Sequence, residues 1–373
     1  MRWSLTAIAL FVLQLGMAQL GGTPSFSNGW SKSGQVQQPE FFIFPWEPGT
    51  RLQEKKTSLS IEIDSMGMQP IKALVNEGGR TTLYVSDIST PVCADGDCRL
   101  MDIRLYWTLL GGYAGFDRYR SAPLTKHDHD EFVYADYLKL HQLLLDDNSI
   151  LKRRKIDELV KKPAQPEEEG VDAIAGATIK EVKESVVSGA LYSCYTAWHL
   201  VNGGIKDKIK DLTISTLNNE LLEQMLMTDN SDYQMFVLKR LSDRQYEQYY
   251  VRIAEIFGGG IPLVRTLIVK NLPETIWNSE RLQEPFWGHF ERIDINTRSL
   301  LLGHLSEAPA SVVHGLSNKL GQMTKNQLKI YLEYLSESQF LDTSILDNLK
   351  NFSSDQREAN AYLVSYFLED LRL

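Results

Sequence analysis

Thr178 is the residue of this chain best placed for covalent chemistry on a phosphate. It closes the string Asp172-Ala-Ile-Ala175-Gly176-Ala177-Thr178, and an amphipathic helix is expected to follow directly. Gly176 and Ala177 leave the backbone open to a bulky anion. Backbone N–H groups at a helix start point outward, and the helix dipole favours negative charge there. A phosphate monoester held at that spot could become a diester through the Thr178 hydroxyl oxygen, as a second phosphorus–oxygen bond breaks and its leaving group departs. The same residues also suit a plain helix cap built on Thr178.

Two other groups carry reactive side chains. Thr125-Lys126-His127-Asp128-His129 puts two histidines at alternate positions, which face one ligand only on an extended segment. With no third and fourth ligands to assign, a metal site does not follow. Asp128 or Asp130 is expected instead to start the next helix. Cys93 and Cys98 flank an Ala-Asp-Gly-Asp loop, and Asp95 and Asp97 are too few carboxylates to define a calcium site. The cysteine spacing is wider than the two-residue spacer of redox dithiols, so a structural disulfide is the default reading and a dithiol that cycles is the sharper one.

The elements that must position these groups follow from composition and periodicity. A chain of 373 residues is long enough for two domains with cores of their own. Residues 1–18 read as a secretory signal: Arg2, the apolar run Leu5–Leu13, then the small residues Gly16 and Ala18. The run is shorter than the ~20 residues of a membrane span, and no other segment has the length and apolarity to cross a bilayer. The expected product is exported, periplasmic or secreted, with no integral span in the mature chain. The net charge of −9 argues against nucleic acid as a partner.

Residues 19–56 read as an extended leader with an aromatic knot at Phe41–Trp46. Residues 57–204 read as an α+β domain. Its strands are expected at Leu59–Ile63, Thr81–Val85 and Asp102–Trp107, with Gly111-Gly112 ending the last of them. Tyr106, Trp107, Tyr113, Phe116 and Tyr119 flank that turn, as core of a small sheet or as rings able to stack on a flat ligand. A helix is expected over about Asp130–Asp146, its apolar face formed by Tyr134, Tyr137, Leu138, His141, Leu144 and Leu145. A charged connector with Pro163 and Pro166 leads to one helix running from Thr178 to Gly203-Gly204. Val182, Val186, Ala190, Cys194, Ala197 and Val201 form its stripe, which makes Cys194 a buried small hydrophobe. His199, His289, His304 and His314 show no partner spacing.

Residues 205–373 are helical in pattern and carry a repeat. An apolar-x-x-Leu-[Ser/Thr/Pro] string starts at Ile209, Leu238, Val269, Leu302 and Leu332, with a weaker copy at Leu368. The starts fall roughly 30 residues apart, the period of a helix pair, so an all-α solenoid of HEAT-like helix pairs is expected. The Ser, Thr or Pro of each copy is expected at the start of the following helix.

The Asp172–Thr178 string resembles the flavinylation motif of FMN-binding domains, found in the flavin-carrying subunits of the sodium-pumping NADH:quinone oxidoreductase and of the Rnf complex. The family pattern is an Asp, two variable residues, Ser or Ala, then Gly-Ala-Thr. Asp172, Ala175, Gly176, Ala177 and Thr178 fall on it. The resemblance implies FMN linked through its phosphate to Thr178 by a flavin transferase, and electron transfer to redox partner proteins. It also implies an α+β fold for residues 57–204. Ala175 stands where Ser or Thr is more usual, and Lys180 where a second small hydroxyl residue often stands. Lys126 or His129 would then lie beside a reduced isoalloxazine ring. A non-catalytic scaffold, in which the helical repeats bind a partner and the α+β domain is silent, is the alternative from a different class.

Overall fold

The computed structural model describes residues 38–43, 50–63, 66–92, 100–119, 121–127, 129–155, 158, 180–338 and 340–371. It separates into two compact units, residues 1–216 and 217–373. The helix Ile205–Ser215, expected to open the repeats, belongs to the first.

The first unit is built on an antiparallel sheet. Its strands are β1 (Phe41–Phe42), β2 (Gln53–Ile63), β3 (Gly67–Val75), β4 (Thr81–Thr90), β5 (Met101–Trp107) and β6 (Tyr113–Arg118), in the order β1-β6-β5-β4-β3-β2. Strand β2 begins inside the expected leader, and β1 is the first two residues of the aromatic knot, paired Phe41 to Phe116 and Phe42 to Gly115, while residues 44–46 of the knot lie outside the described residues. Besides β1, two strands were not expected. In β3, Pro70 reads as a strand breaker. It pairs with Ser60 of β2 but lies beyond the β3–β4 ladder, which spans Lys72 to Val75. There the Gln69 amide takes over: its Nε2 donates to Ser89 O (2.7 Å) and its Oε1 accepts from Ser89 N–H (2.9 Å). The other is β6, buried along its whole length, so polar alternation is absent. Gly111 and Gly112 therefore make the β5–β6 turn and not the end of the sheet, with Gly111 at φ +76°.

One sheet face is apolar and carries the helices α1 (Tyr134–Leu145), α3 (Leu191–Asn202) and α4 (Ile205–Ser215), with α2 (Lys180–Ser185) preceding α3 in the chain. Tyr84, Leu105, Trp107 and Phe116 are buried there, each side chain worth roughly 1.5–3 kcal/mol of transfer free energy. Trp107 Nε1–H donates to Val201 O (3.1 Å), tying β5 to α3, and Thr213 Oγ1–H donates to Leu109 O (2.6 Å), tying α4 to the sheet. The buried face of α1 is Tyr137, Leu140, Leu143 and Leu144; Tyr134, Leu138 and Leu145 are exposed, so the expected stripe is rotated. The expected single helix from Thr178 is two, because the chain turns over Val186–Ala190 with Gly189 at φ +75°. All six residues of its stripe are nonetheless buried.

The second unit is entirely helical among the described residues: α5 (Asn219–Leu226), α6 (Ser231–Leu238), α7 (Asp243–Gln248), α8 (Tyr250–Gly259), α9 (Pro262–Asn271), α10 (Glu274–Trp277), α11 (Glu280–Trp287), α12 (Ile295–Leu302), α13 (Ala310–Ser317), α14 (Lys325–Ser338), α15 (Thr343–Ser354) and α16 (Ala361–Asp370). Helix α5 packs on α6, α8 on α9 and α15 on α16. Across these pairs α6 packs on α9, α9 on α12, α12 on α14, and α14 on α16. The recurrent string falls in those same successive helices: Leu238 in α6, Val269 in α9, Leu302 in α12, Leu332 in α14 and Leu368 in α16. Its capping role holds at Ser242 and Pro273, which precede α7 and α10. It fails at Thr213 and Ser336, which are inside helices, and at Ser306, because Pro309 caps α13. Long polar side chains satisfy carbonyls that helix ends leave open. Arg252 reaches Leu226 O and Thr228 O beyond α5, and Arg265 reaches Phe257 O and Gly258 O in the last turn of α8.

Candidate functional site

Thr178, Asp172, Gly176, Ala177 and Ala175 lie outside the described residues, as do Cys93 and Cys98. The first described element after the motif is α2, which opens at Lys180 and has 6 residues. Its far end is fixed by the loop carrying Lys126 and His129. His127 N–H donates to Gly189 O (2.7 Å), and Ser193 Oγ–H to Thr125 O (3.5 Å), so this loop docks on the α2–α3 turn. The Lys126 stem lies over Gly189 and its ammonium pairs with Asp136 of α1 (2.8 Å). His129 is exposed with φ 61°, and its N–H donates to Lys126 O (3.0 Å). The two histidines thus sit on a tight loop and not on an extended segment. Asp130 does not cap the helix. Val133 precedes α1, and its N–H donates to the Asp136 carboxylate (3.0 Å).

The opposite face of the sheet carries an ionic ladder that sequence reasoning missed. Asp87, Arg104 and Asp117 are cross-strand neighbours on β4, β5 and β6. Arg104, 2% exposed, pairs with Glu54 and with Asp87 (2.8 Å), while Lys72 reaches Glu54 (2.7 Å) and Asp87 (3.3 Å). Burial opposes ionisation of Asp87, but Arg104, the Tyr119 hydroxyl (2.5 Å) and Lys72 outweigh it and hold its pKa below the usual value. Arg104 Nε–H donates to Tyr106 Oη (3.0 Å), whose hydroxyl donates to Asp117 Oδ2 (2.9 Å). Burial pushes the Asp117 carboxyl up to about 6, although it accepts from Glu40 N–H (2.7 Å) and Tyr106. The sequence signal was present as charged residues inside the strands: Glu54 in β2, Lys72 in β3, Asp87 in β4, Arg104 in β5 and Asp117 in β6. Periodicity reads such residues as solvent-facing.

A cavity of about 520 Å³ lies between the ends of β2 and β4 and the helices α3 and α4. Its aromatic wall is Tyr195 and His199, ring centroids 4.2 Å apart and tilted by 47°. His199 Nε2 lies 3.1 Å from Leu151 O. A carbonyl only accepts, so Nε2 carries the proton and Nδ1 is the acceptor nitrogen. Burial lowers the His199 pKa, which keeps the ring neutral. The aromatic core expected around Gly111-Gly112 is present: Tyr106, Trp107, Tyr113 and Phe116 are buried. Tyr113 bonds His141 Nδ1 (2.7 Å). Cys194 is fully buried, its thiol pushed up to about 12 by burial.

Among the described residues, no helix is long and apolar enough to cross a membrane. No protein-family model matches the chain, and no curated protein or solved structure is significantly similar to it.

Proposed function

We propose that this chain is an exported electron-transfer flavoprotein, periplasmic or secreted, whose FMN is esterified through its phosphate to Thr178. The observation that carries the reading is the Asp172-x-x-Ala175-Gly176-Ala177-Thr178 string standing immediately before α2. Two features support it. The stripe of α2 and α3 is buried, so the motif is joined to a fixed platform. The loop of Lys126 and His129 is bonded to that platform at Gly189. Bound FMN supplies the redox chemistry, and the chain supplies attachment and surroundings. In the attachment step the Thr178 hydroxyl would give up its proton and its oxygen would bond phosphorus as the phosphoanhydride bond of a flavin dinucleotide donor, held by the flavin transferase, breaks and the nucleoside monophosphate leaves. Gly176 and Ala177 leave room for the phosphate. His129, exposed, is the group free to approach the ring, because the Lys126 ammonium is held by Asp136.

The second unit is a HEAT-like solenoid that docks the redox partner. The succession α6-α9-α12-α14-α16 supports this, as does the apolar exposure of Ile261, Leu263 and Ile295 at the starts of α9 and α12.

A scaffold without flavin is the second reading, favoured by Ala175, by Lys180 and by the shortness of α2. One experiment decides between them. The mature chain is produced with a flavin transferase, denatured, and examined for flavin fluorescence and the FMN mass increment. Both are expected in the wild type and absent in Thr178→Ala. Neither signal in the wild type, or both in Thr178→Ala, overturns the flavin reading.

A further inference from the structure

We propose that helix α16, with the first turn of α14 beside it, is the contact face of a two-fold symmetric dimer whose other half is a second copy of this chain. Helix α16 packs on α15 and α14, and Val364 is its one buried residue. On the side turned away, Tyr362 and Tyr366 are 42% and 61% exposed, their ring centroids 6.1 Å apart and edge to face. Positions 362, 366 and 369 share one helix face, and 370 lies one turn beyond 366. That side therefore carries rings at its start and the exposed carboxylates Glu369 and Asp370 at its end. Lys325 of α14, also exposed, holds its Nζ 5.6 Å from the Tyr362 ring centroid. The charges are misplaced for a lone copy. Lys325 opens α14, where the helix dipole disfavours a cation, and no acidic residue stands in that first turn. Glu369 and Asp370 close α16, where the dipole disfavours an anion, and no basic residue stands in that last turn. The ion pairs closest to them in sequence are Lys319–Glu291 and Arg357–Asp355, and none of Lys325, Glu369 and Asp370 has a partner among the described residues. A second copy corrects both ends at once. With the two-fold axis at Tyr366, antiparallel α16 helices set residue 362 of one copy against residue 370 of the other, the eight positions between them spanning about 12 Å. Each Lys325 then meets the Glu369–Asp370 turn of the other copy, twice by symmetry, while the tyrosines cover one another. This face uses neither Thr178 nor the exposed residues at the starts of α9 and α12, and stands whatever those do.

Analytical ultracentrifugation of the full mature chain at rising concentration tests it. One helix and one neighbouring turn cover less than the ~800 Å² per partner of a standard interface, so a reversible dimer with a dissociation constant of roughly 1–100 μM is expected. Lys325→Glu alone, and Glu369→Lys with Asp370→Lys alone, should each weaken self-association at least about tenfold, because like charges then meet across the axis. Mixed in equal amounts, these two variants should pair with each other about as tightly as the wild type pairs with itself, since every contact between a cation and a carboxylate is then restored, with the signs reversed at one end. That rescue distinguishes a shared face from a damaged fold. Tyr366→Lys, exposed and on the axis, should be monomeric with the thermal melt unchanged. If a charge variant does not fold, Tyr366→Lys decides. A wild type that stays monomeric to about 300 μM leaves the face to another partner and overturns the proposal. A dimer indifferent to both charge variants or to Tyr366→Lys, or folded charge variants that do not associate when mixed, overturns it as well.

Discussion

Arg104→Ala should destabilise the first unit more than removal of almost any single apolar side chain. The Arg104 guanidinium is 2% exposed and faces Glu54, 6% exposed, and Asp87, 36% exposed, with Lys72 the other cation of the group. With Arg104 the cluster is neutral; without it, two carboxylates share one ammonium in a largely dry place. Breaking a buried pair by removing one partner costs about 3–5 kcal/mol, because the remaining charge is left unpaired. For a unit of this size that is roughly 6–20 °C in Tm. The measurement is a urea unfolding curve with hydrogen exchange on β5, which separates this unit from the helical one. The midpoint should fall with the slope preserved. Adding Glu54→Gln to Arg104→Ala should return at least about 1 kcal/mol, because the uncompensated charge is then gone. The acid side gives a further check. Asp87 has a lowered pKa, so its contribution is present above its unfolded value and is lost as pH falls through the folded one. That loss should shrink in Arg104→Ala. A cost below about 1 kcal/mol, or no recovery on adding Glu54→Gln, would refute the reasoning.

Four further outcomes are expected. Asp117 is raised from 3.8 to about 6; its contribution is full below pH 3.8 and lost as pH rises through 6. Asp117→Asn should therefore remove about 3 kcal/mol of the pH dependence of unfolding between pH 4 and 6, read as the difference between wild-type and variant urea midpoints across that window. Gly111→Ala places a methyl group 2.2 Å from Lys206 O at a positive φ, so unfolding should be easier by several kcal/mol, on the order of other backbone clashes, as measured by thermal melt. Gly115→Ala would meet Phe41 O at 2.3 Å and should unseat β1 alone, seen as faster amide exchange at Ile43, which donates to Ala114 O (3.0 Å). Native Cys194 should resist thiol reagents until denaturant is added, since it is fully buried with its pKa pushed up to about 12.

The legible parts of this fold were those where one physical rule acts alone. The stripe from Val182 to Val201 was read correctly as buried, because apolar spacing survives a break in the helix. The break itself was hidden, since Gly189 is a single glycine between Val186-Val187-Ser188 and Ala190-Leu191, and its carbonyl accepts from His127 N–H, a partner distant in sequence. Strand β3 was obscured by Pro70, whose lost pairing is replaced by the side chain of Gln69, a contact no local pattern announces. The recurrent leucine string falls in helices that pack in succession, but its caps held only at Ser242 and Pro273 because the helices end at different points along it. At the candidate sites, the motif was visible as a string of small residues before a helix. The Tyr195–His199 wall was not, because its partners Leu151 and Arg154 come from a distant segment.

Strand β1 gives the chain a folding order. Glu40 bonds Asp117 across 77 residues, and Phe41 stacks on Phe116 at 4.6 Å. A chain synthesised from its N-terminus delivers Phe41 long before β6 exists. The first strand to emerge is therefore the last to find its place, and closing so long a loop is slow relative to the hairpins that form β2 through β6. Until it docks, the edge of β6 presents unpaired backbone groups to any extended segment nearby. Strand β1 thus works as a latch that ends the exposure of the sheet, and Gly115 is the gap into which the latch drops.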